Sequence, residues 1–359
     1  MTTASAGQVP DALGRVDLAW LTDVLQEAGR TTAKVSEVAL EPTEIAGAAG
    51  ELGRILLSYD DSGAPGPASV IAKFRGTSET QQAMDAALGI FARERHFYSE
   101  VAPLIPVASP ACFHAGDGDD LPLLLEDLRD LRMGDQVAGL DMPDAERVVD
   151  ELADLHARFW EQPLPGGSDW AVSLRDPMFA GMLTQLVASG VPALQERYEG
   201  RVPDQILKEL QEAAPSWGEV LARCDEGPQT LVHNDCRLDN LFFRPDGTPV
   251  FIDWQLPGQC RGTQDVAYLL SGSIPPDVLP GVWEGLLRRY HDRLLTNGVT
   301  GYAWDECRRH YRQSLLYTLA PGVAMLGAMA IAGDQRGLAD TLVLRTLTHA
   351  AELDAFATL

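Results

Sequence analysis

Basic residues are scarce in this 359-residue chain: 28 Lys and Arg stand against 52 Asp and Glu, a formal net charge of −24. A nucleic-acid-binding surface needs stripes of Lys and Arg to neutralise phosphates, so that class is excluded. A cationic substrate is permitted, although a diffuse acidic surface is more often a solubility feature. Cysteine is also sparse. Cys112, Cys224, Cys236, Cys260 and Cys307 are odd in number and contain no CxxC pair, which argues against a disulfide framework and a structural zinc site and fits a reducing, cytoplasmic location. The first residues, MTTASAGQVPDALGRVD, lack a basic start followed by an apolar run, so no secretory signal is expected. No internal repeat and no low-complexity tract occurs. Leu315 to Ala332 carries no charge over eighteen residues, but Pro321, Gly322 and Gly327 interrupt this Ala-rich stretch; buried helices are expected there, not a membrane span.

What is present concentrates between Leu231 and Asp253, LVHNDCRLDNLFFRPDGTPVFID. Two apolar, β-favouring triplets, Leu241 to Phe243 and Val250 to Ile252, flank the turn-forming residues Arg244 to Pro249 and predict a hairpin. If the turn centres between Asp246 and Gly247, Phe242 faces Phe251 and Asn240 faces Asp253. Opposed residues lie roughly 4.5 to 5.5 Å apart, so a carboxamide oxygen and a carboxylate there can share one hard cation such as Mg²⁺. Asp235 precedes the first strand by a few residues, where a proton acceptor for a substrate hydroxyl would be needed.

Elsewhere, Asp17 is expected to cap a helix from Leu18 to Ala28, followed by a strand from Val35 to Leu40. A loop with Gly47, Gly50 and Gly53 could cover phosphates with backbone N–H groups, although its spacing is not GxGxxG. The strand Ser69 to Phe74 ends near a lysine, Lys73, that needs an acidic partner if it is sheltered. A capping-box helix starting near Ser78 and Gln81 and running through Phe91, Phe97 and Tyr98 offers Glu94 for that pair. Leu121 to Leu128 reads as a buried strand after the loop 116–120. Ala145 to Trp160 reads as an amphipathic helix in which His156 packs and does not act as a ligand. Helices are expected between Pro163 and Pro228, and a strand from Thr230.

The run His233-Asn234-Asp235, then Asn240, then Ile252-Asp253-Trp254-Gln255, resembles the catalytic and metal-binding loops of aminoglycoside phosphotransferase and choline kinase-like enzymes, with a flavour nearest the bacterial ecdysteroid kinase-like branch. The resemblance implies an α+β, bilobal protein-kinase-like fold: a small β-sheet lobe over 1–127, and a larger, mainly helical lobe over 128–359 that carries the catalytic hairpin. It further implies ATP and Mg²⁺ as cofactors, phosphorylation of a small-molecule hydroxyl, and no nucleic-acid or membrane partner. In this reading Lys73, paired with Glu94, contacts the α and β phosphates; Gly50 lies in the phosphate-covering loop; backbone groups at Glu126, Asp127 and Leu128 hold the adenine. Asp235 takes the hydroxyl proton, and Asn240 with Asp253 binds the metal. Asp265, in a DxAxxL pattern, braces the catalytic loop through backbone N–H groups. Arg237 binds phosphate or ties the loop to an acidic neighbour. Asn234 stands where these enzymes usually carry glycine, a position that asparagine can fill if the backbone is left-handed.

A nucleotide-binding pseudokinase or interaction module is the alternative, opposed by the presence of Lys73, Asp235, Asn240 and Asp253 together. A protein kinase is disfavoured because Asp265 follows Asp253 within twelve residues, too few for a peptide-binding segment. The substrate stays open between aminoglycosides, amino alcohols, sugars and lipophilic alcohols, as does the oligomeric state.

Overall fold

The computed structural model describes residues 16–42, 50–116, 121–332 and 337–359, the side chains of 324–332 excepted. Two compact units share the chain. One takes the described residues of Met1–Leu104 with Ser109–Asp130; the other takes Ile105–Ala108 with Leu131–Leu359.

The first unit contains, in order, α1 (Leu18–Glu27), β1 (Val35–Pro42), β2 (Gly50–Tyr59), β3 (Ser69–Arg75), α2 (Glu79–Leu88), α3 (Ile90–His96), β4 (Cys112–His114) and β5 (Leu123–Glu126). Its five strands make one antiparallel sheet in the order β1-β2-β3-β5-β4. Alternation in β3 explains the division of its faces. Val70, Ala72 and Phe74 point into a core with Leu21, Leu25, Ile55 and Leu124, while Ile71, Lys73 and Arg75 take the other face. Asp17 caps α1 by accepting from the Ala19 N–H.

Two expectations in this unit change. Gly50 and Gly53 lie within β2, not in a loop, while Gly47 and residues 117–120 fall outside the described residues. The strand imposes the glycine at 50, since a Cβ would sit 2.7 Å from the Phe74 carbonyl oxygen on β3. The helix after Ser78 begins with the expected capping box but stops at Gly89, whose φ of +60° ends α2 and starts α3 on a new axis; a turn of π-helix, Phe97–Val101, follows.

The second unit contains β6 (Arg132–Met133), α4 (Met142–Phe159), α5 (Pro177–Tyr198), α6 (Asp204–Ala213), α7 (Trp217–Cys224), β7 (Thr230–Val232), β8 (Leu241–Phe243), β9 (Pro249–Phe251), β10 (Gly258–Cys260), α8 (Thr263–Ser273), α9 (Leu279–Thr296), α10 (Trp304–Ala332) and α11 (Leu338–Glu352). Four short strands, β7 to β10, lie between two runs of four helices. The strands form a three-stranded sheet, β6-β8-β9, and a two-stranded one, β10-β7. All eleven residues of α8 are buried, with α10 and α11 packed against it.

Leu315 to Ala332 belongs to one continuous helix, α10, which runs through Pro321 without breaking. Among the described residues one helix, α5, is long and apolar enough to cross a membrane. Its Leu183, Val187, Val191, Leu194 and Tyr198 recur on a single stripe and are buried within this unit, where α5 meets α7 and α10.

The hairpin forms where expected but in a register shifted by one residue. Leu241 pairs with Phe251, Phe242 with Val250 and Phe243 with Pro249, and the Arg244 N–H donates to the Thr248 carbonyl at 3.0 Å. The loop therefore holds three residues, Pro245, Asp246 and Gly247, with Gly247 left-handed at φ +86°. A three-residue loop ending in a left-handed residue pairs strands one step out from an even loop centred on Asp246 and Gly247. Asn240 consequently faces Ile252, whose N–H donates to the Asn240 carbonyl at 3.0 Å, and Asp253 comes one residue later. Replacing Gly247→Ala is expected to destabilise this unit by about 1 kcal/mol through backbone strain at the turn; an unchanged midpoint in urea denaturation would contradict this loop geometry.

Candidate active site

In the second unit the loop from His233 to Asn240 hangs from one buried carboxylate. Asp265, in the first turn of α8 and fully buried, accepts the His233 N–H on Oδ2 at 2.6 Å and the Asn234 N–H on Oδ1 at 2.8 Å. His156 of α4 reaches the same Oδ2 through Nε2 at 3.3 Å, and its Nδ1 lies 2.9 Å from the Tyr290 hydroxyl. His156 is thus a packed helix residue with a task, holding the acceptor that holds the loop. A carboxylate in the first turn of a helix also meets the favourable end of the helix dipole.

Asn234 adopts φ +67°, the left-handed conformation that its position demands. Its side chain is committed on both sides: Nδ2 donates to the Leu256 carbonyl at 2.8 Å, and Oδ1 accepts from Gln264. Tyr317 of α10 donates to the Asn234 carbonyl at 3.0 Å. The approach of Asn234 to the chain beyond Asp253 is so close that a Cβ on Gly258 would lie 2.3 Å from Nδ2. An asparagine here therefore does what glycine cannot, tying the loop to the segment after Asp253.

His233 uses both ring nitrogens within the same construction. Nε2 lies 2.8 Å from the Ile252 carbonyl, which can only accept, and Nδ1 receives the Asp235 N–H at 3.3 Å. The pattern is that of the Nε2–H tautomer. The ring stacks obliquely on buried Trp254, 4.4 Å between centroids.

Asp235 follows, partly exposed. Asn240 Nδ2 donates to its Oδ2 at 2.8 Å and to its backbone carbonyl at 2.9 Å, while Arg237 Nε lies 3.5 Å from Oδ1. Burial raises the Asp235 carboxyl above the ordinary aspartate value and Asp253 adds to the rise; Arg237, His233 and the Asn240 hydrogen bond oppose it. Burial would lower the Arg237 guanidinium, but Asp235, Tyr268, Asp239 and Asp253 around it outweigh that and raise it. Its Nη1 lies 3.3 Å from Asp239, so the ties to acidic neighbours that the sequence allowed are present. Cys236, buried beside it, is a free thiol that burial pushes far up.

The donors for a cation are oxygens. With the Asn240 amide nitrogen turned twice toward Asp235, its carboxamide oxygen is the group left to face a metal, and Asp253, at φ +65°, sits one residue beyond the position opposite Asn240. Among the described residues no three or more His, Cys, Asp or Glu are grouped so that they could hold a metal ion. A cation here would rest on one or two protein oxygens plus oxygens from elsewhere, a donor set that suits Mg²⁺ and not zinc.

In the first unit Lys73 Nζ lies 2.5 Å from Glu94 Oε1, with 2 % of the Glu94 side chain exposed. The pair links β3 to α3. Glu126 and Asp127 are occupied within the same unit: Ala111 N–H donates to Glu126 Oε2 at 3.0 Å, and Arg54 and Ser69 donate to Asp127 at 2.7 and 2.6 Å. Burial would raise the Asp127 carboxyl, but these donors hold it below the ordinary value. Leu128 is buried beside them. The Glu126 N–H is also taken, donating to the Ala111 carbonyl at 2.8 Å. Gly50 lies at the start of β2, with its carbonyl accepting from Gln81 at 3.3 Å.

Tyr268, Gln264 and Tyr317 were not singled out by the sequence. Tyr268 and Gln264 share the α8 segment with Asp265, a signal that could have found them; Tyr317, far along the chain in α10, gave none.

The profile of a family described as "Phosphotransferase enzyme family" matches residues 71–308, which span the Lys73 and Glu94 pair, the catalytic loop and α8. The chain belongs to the phosphotransferase enzyme family. Family membership makes it a small-molecule phosphotransferase, and the aminoglycoside phosphotransferase and choline kinase-like resemblance holds. No curated protein matches it in sequence. In structure, this phosphotransferase is similar to choline kinase from Cryptosporidium parvum Iowa II, with 12 % identity, 96 % of this chain and 98 % of that one covered, and a TM-score of 0.58. It is similar also to choline kinase LicA from Streptococcus pneumoniae (12 % identity, 92 % and 98 % covered, TM-score 0.51) and to the ADP-bound aminoglycoside phosphotransferase APH(2'')-Ib (14 % identity, 94 % and 99 % covered, TM-score 0.50). At such identities the likeness is one of fold, and it is the α+β, protein-kinase-like fold that the sequence implied.

The left-handed Asn234 separates two substitutions in this phosphotransferase. Asn234→Gly and Asn234→Ala both lose the side-chain bonds, but alanine is expected to be less stable than glycine by about 1 kcal/mol because of φ. Equal thermal midpoints for the two variants would contradict the backbone conformation.

Proposed function

We propose that this phosphotransferase moves the γ-phosphoryl group of ATP to a hydroxyl of a small molecule, with Asp235 as proton acceptor. The observation that carries the reading is the state of Asp235: a partly exposed carboxylate, fixed by Asn240 and made more basic by burial. A base poised this way can orient an incoming hydroxyl and take its proton as the oxygen attacks phosphorus. His233 is a poor rival, since protonating Nδ1 would remove the acceptor of the Asp235 N–H.

Asn240 and Asp253 are assigned as the Mg²⁺ ligands, supported by the oxygen donors described above. Bound there, Mg²⁺ would neutralise charge on the nucleotide phosphates. Lys73, held by Glu94, is assigned to the α and β phosphates, where a fixed ammonium lowers their repulsion. Gly50 is assigned to the phosphate-facing edge of β2, and main-chain groups at Glu126, Asp127 and Leu128 to the adenine. Most of the acceleration would then come from positioning and charge neutralisation. The pseudokinase alternative is disfavoured by the same facts, because Asp235 is fixed and ionisable and Lys73 keeps its glutamate.

An ATP-consumption screen over aminoglycosides, choline-like amines, sugars and lipophilic alcohols identifies the acceptor. With it, Asp235→Asn is expected to lower kcat by about 100-fold or more while leaving nucleotide binding within about twofold; retained turnover removes Asp235 as the base. Asp253→Ala is expected to weaken Mg·ATP binding by tenfold or so, measured by calorimetry with and without Mg²⁺. An unchanged Mg²⁺ dependence would remove Asp253 as a ligand.

A further inference from the structure

Gln136 is fully buried in the segment between β6 and α4, and every polar group it has is in use. Its Oε1 accepts the Leu238 N–H at 2.7 Å, and its own N–H donates to Asp239 Oδ1 at 2.9 Å. Nε2 donates to the Gly272 carbonyl at 2.7 Å and lies 3.2 Å from Ser273 Oγ. The Gln136 carbonyl accepts from Arg345 Nη1 of α11 at 2.7 Å. One amide side chain thus joins the second half of the catalytic loop to the C-terminal end of α8.

Arg345 completes the joint. It is a buried guanidinium whose hydrogen-bond acceptors are carbonyls: Nη1 also reaches Gly272 at 3.2 Å, and Nη2 reaches Val137 at 3.0 Å. A cation at the last carbonyls of a helix is electrostatically favoured there. Burial lowers the guanidinium from its ordinary value, so the site carries a cost that its hydrogen bonds must offset. Gly134, just before Gln136, lets the segment press on the loop, since a Cβ there would lie 2.2 Å from the Leu238 carbonyl oxygen.

Both halves of the loop are therefore referred to one helix. Asp265, at the start of α8, fixes His233 and Asn234; Gly272 and Ser273, at its end, fix Leu238 and Asp239 through Gln136. Asp235 and Asn240 lie on the loop between and just beyond these anchors. We propose that Gln136 and Arg345 are positioning residues that set the placement of Asp235 and Asn240 by locking the loop to α8. The proposal deepens the phosphotransfer reading and rests on it for its kinetic part. Neither residue is assigned a contact with substrate or nucleotide.

The test combines hydrogen exchange with kinetics on the full chain. Gln136→Met keeps the length of the side chain and removes its hydrogen bonds. The Leu238 amide is expected to exchange about tenfold faster, and kcat to fall by about tenfold or more with KM for Mg·ATP within about twofold. Arg345→Lys, which keeps the charge but not the fork of donors, is expected to shift both readouts in the same direction by less. Unchanged exchange at Leu238 in either folded variant overturns the proposal, and so does faster exchange with unchanged kcat. Should the wild-type protein turn over no acceptor, the phosphotransfer reading fails on its own, and the exchange arm still decides whether Gln136 locks the loop.

Discussion

The buried carboxylate of Asp265 is the constraint on which the catalytic loop depends. Removing an ionised carboxylate from water costs several kcal/mol unless hydrogen bonds replace the lost hydration. Here the replacements are two loop N–H groups and a histidine, together with the first turn of a helix whose residues are all buried. The dependence runs both ways. The loop supplies the donors that make the charge tolerable, and the charge makes one loop conformation much better than its competitors. Left-handed Asn234 belongs to the same construction: at φ +67° its N–H donates to Asp265 at 2.8 Å.

Around that anchor the polar groups divide by what they can still do. Asp265, His156, His233 and Asn234 have their hydrogen-bonding capacity committed, so they hold geometry. Asp235 and Asp253 lie close to the same guanidinium, Arg237, together with Asp239. Several carboxylates near one cation repel one another less than they would alone, which lets this acidic cluster fold. Pairs such as Arg289 with Asp150 and Arg293 with Asp154, 2.7 and 2.6 Å apart between α9 and α4, are exposed and screened, and pairs of this kind are worth little. Net charge therefore says little about the acceptor.

The features legible in the sequence were those written in neighbouring residues. The capping box at Ser78 and Gln81, the two halves of the hairpin, and the approach from His233 to Asp235 all depend on short spacings. The Lys73 and Glu94 pair was legible across a longer gap because a lysine on a strand needs an acid. The register error came from a choice that apolar triplets cannot make: Pro245, Asp246 and Gly247 close a three-residue loop as readily as the same region closes an even one, and a single residue moves Asn240 from Asp253 to Ile252. Gly89 was hidden inside a helical pattern, and its left-handed φ is decided by packing. Gln136 and Arg345 carry no local signal, since their contacts lie 102 and 209 residues apart in the chain.

The division of labour between His233 and Asp235 follows from valence. A histidine next to a carboxylate is the usual candidate for proton transfer, yet His233 has one nitrogen donating to Ile252 and the other accepting from Asp235 N–H. Taking a proton on Nδ1 would turn an acceptor into a donor against another donor, and would loosen the residue it is supposed to assist. Asp235 has no such conflict: Asn240 and Arg237 contact its oxygens as donors, so a proton can arrive on a lone pair they do not use. The hydrogen bond that His233 Nδ1 accepts from the Asp235 N–H is thus part of what holds Asp235 in place.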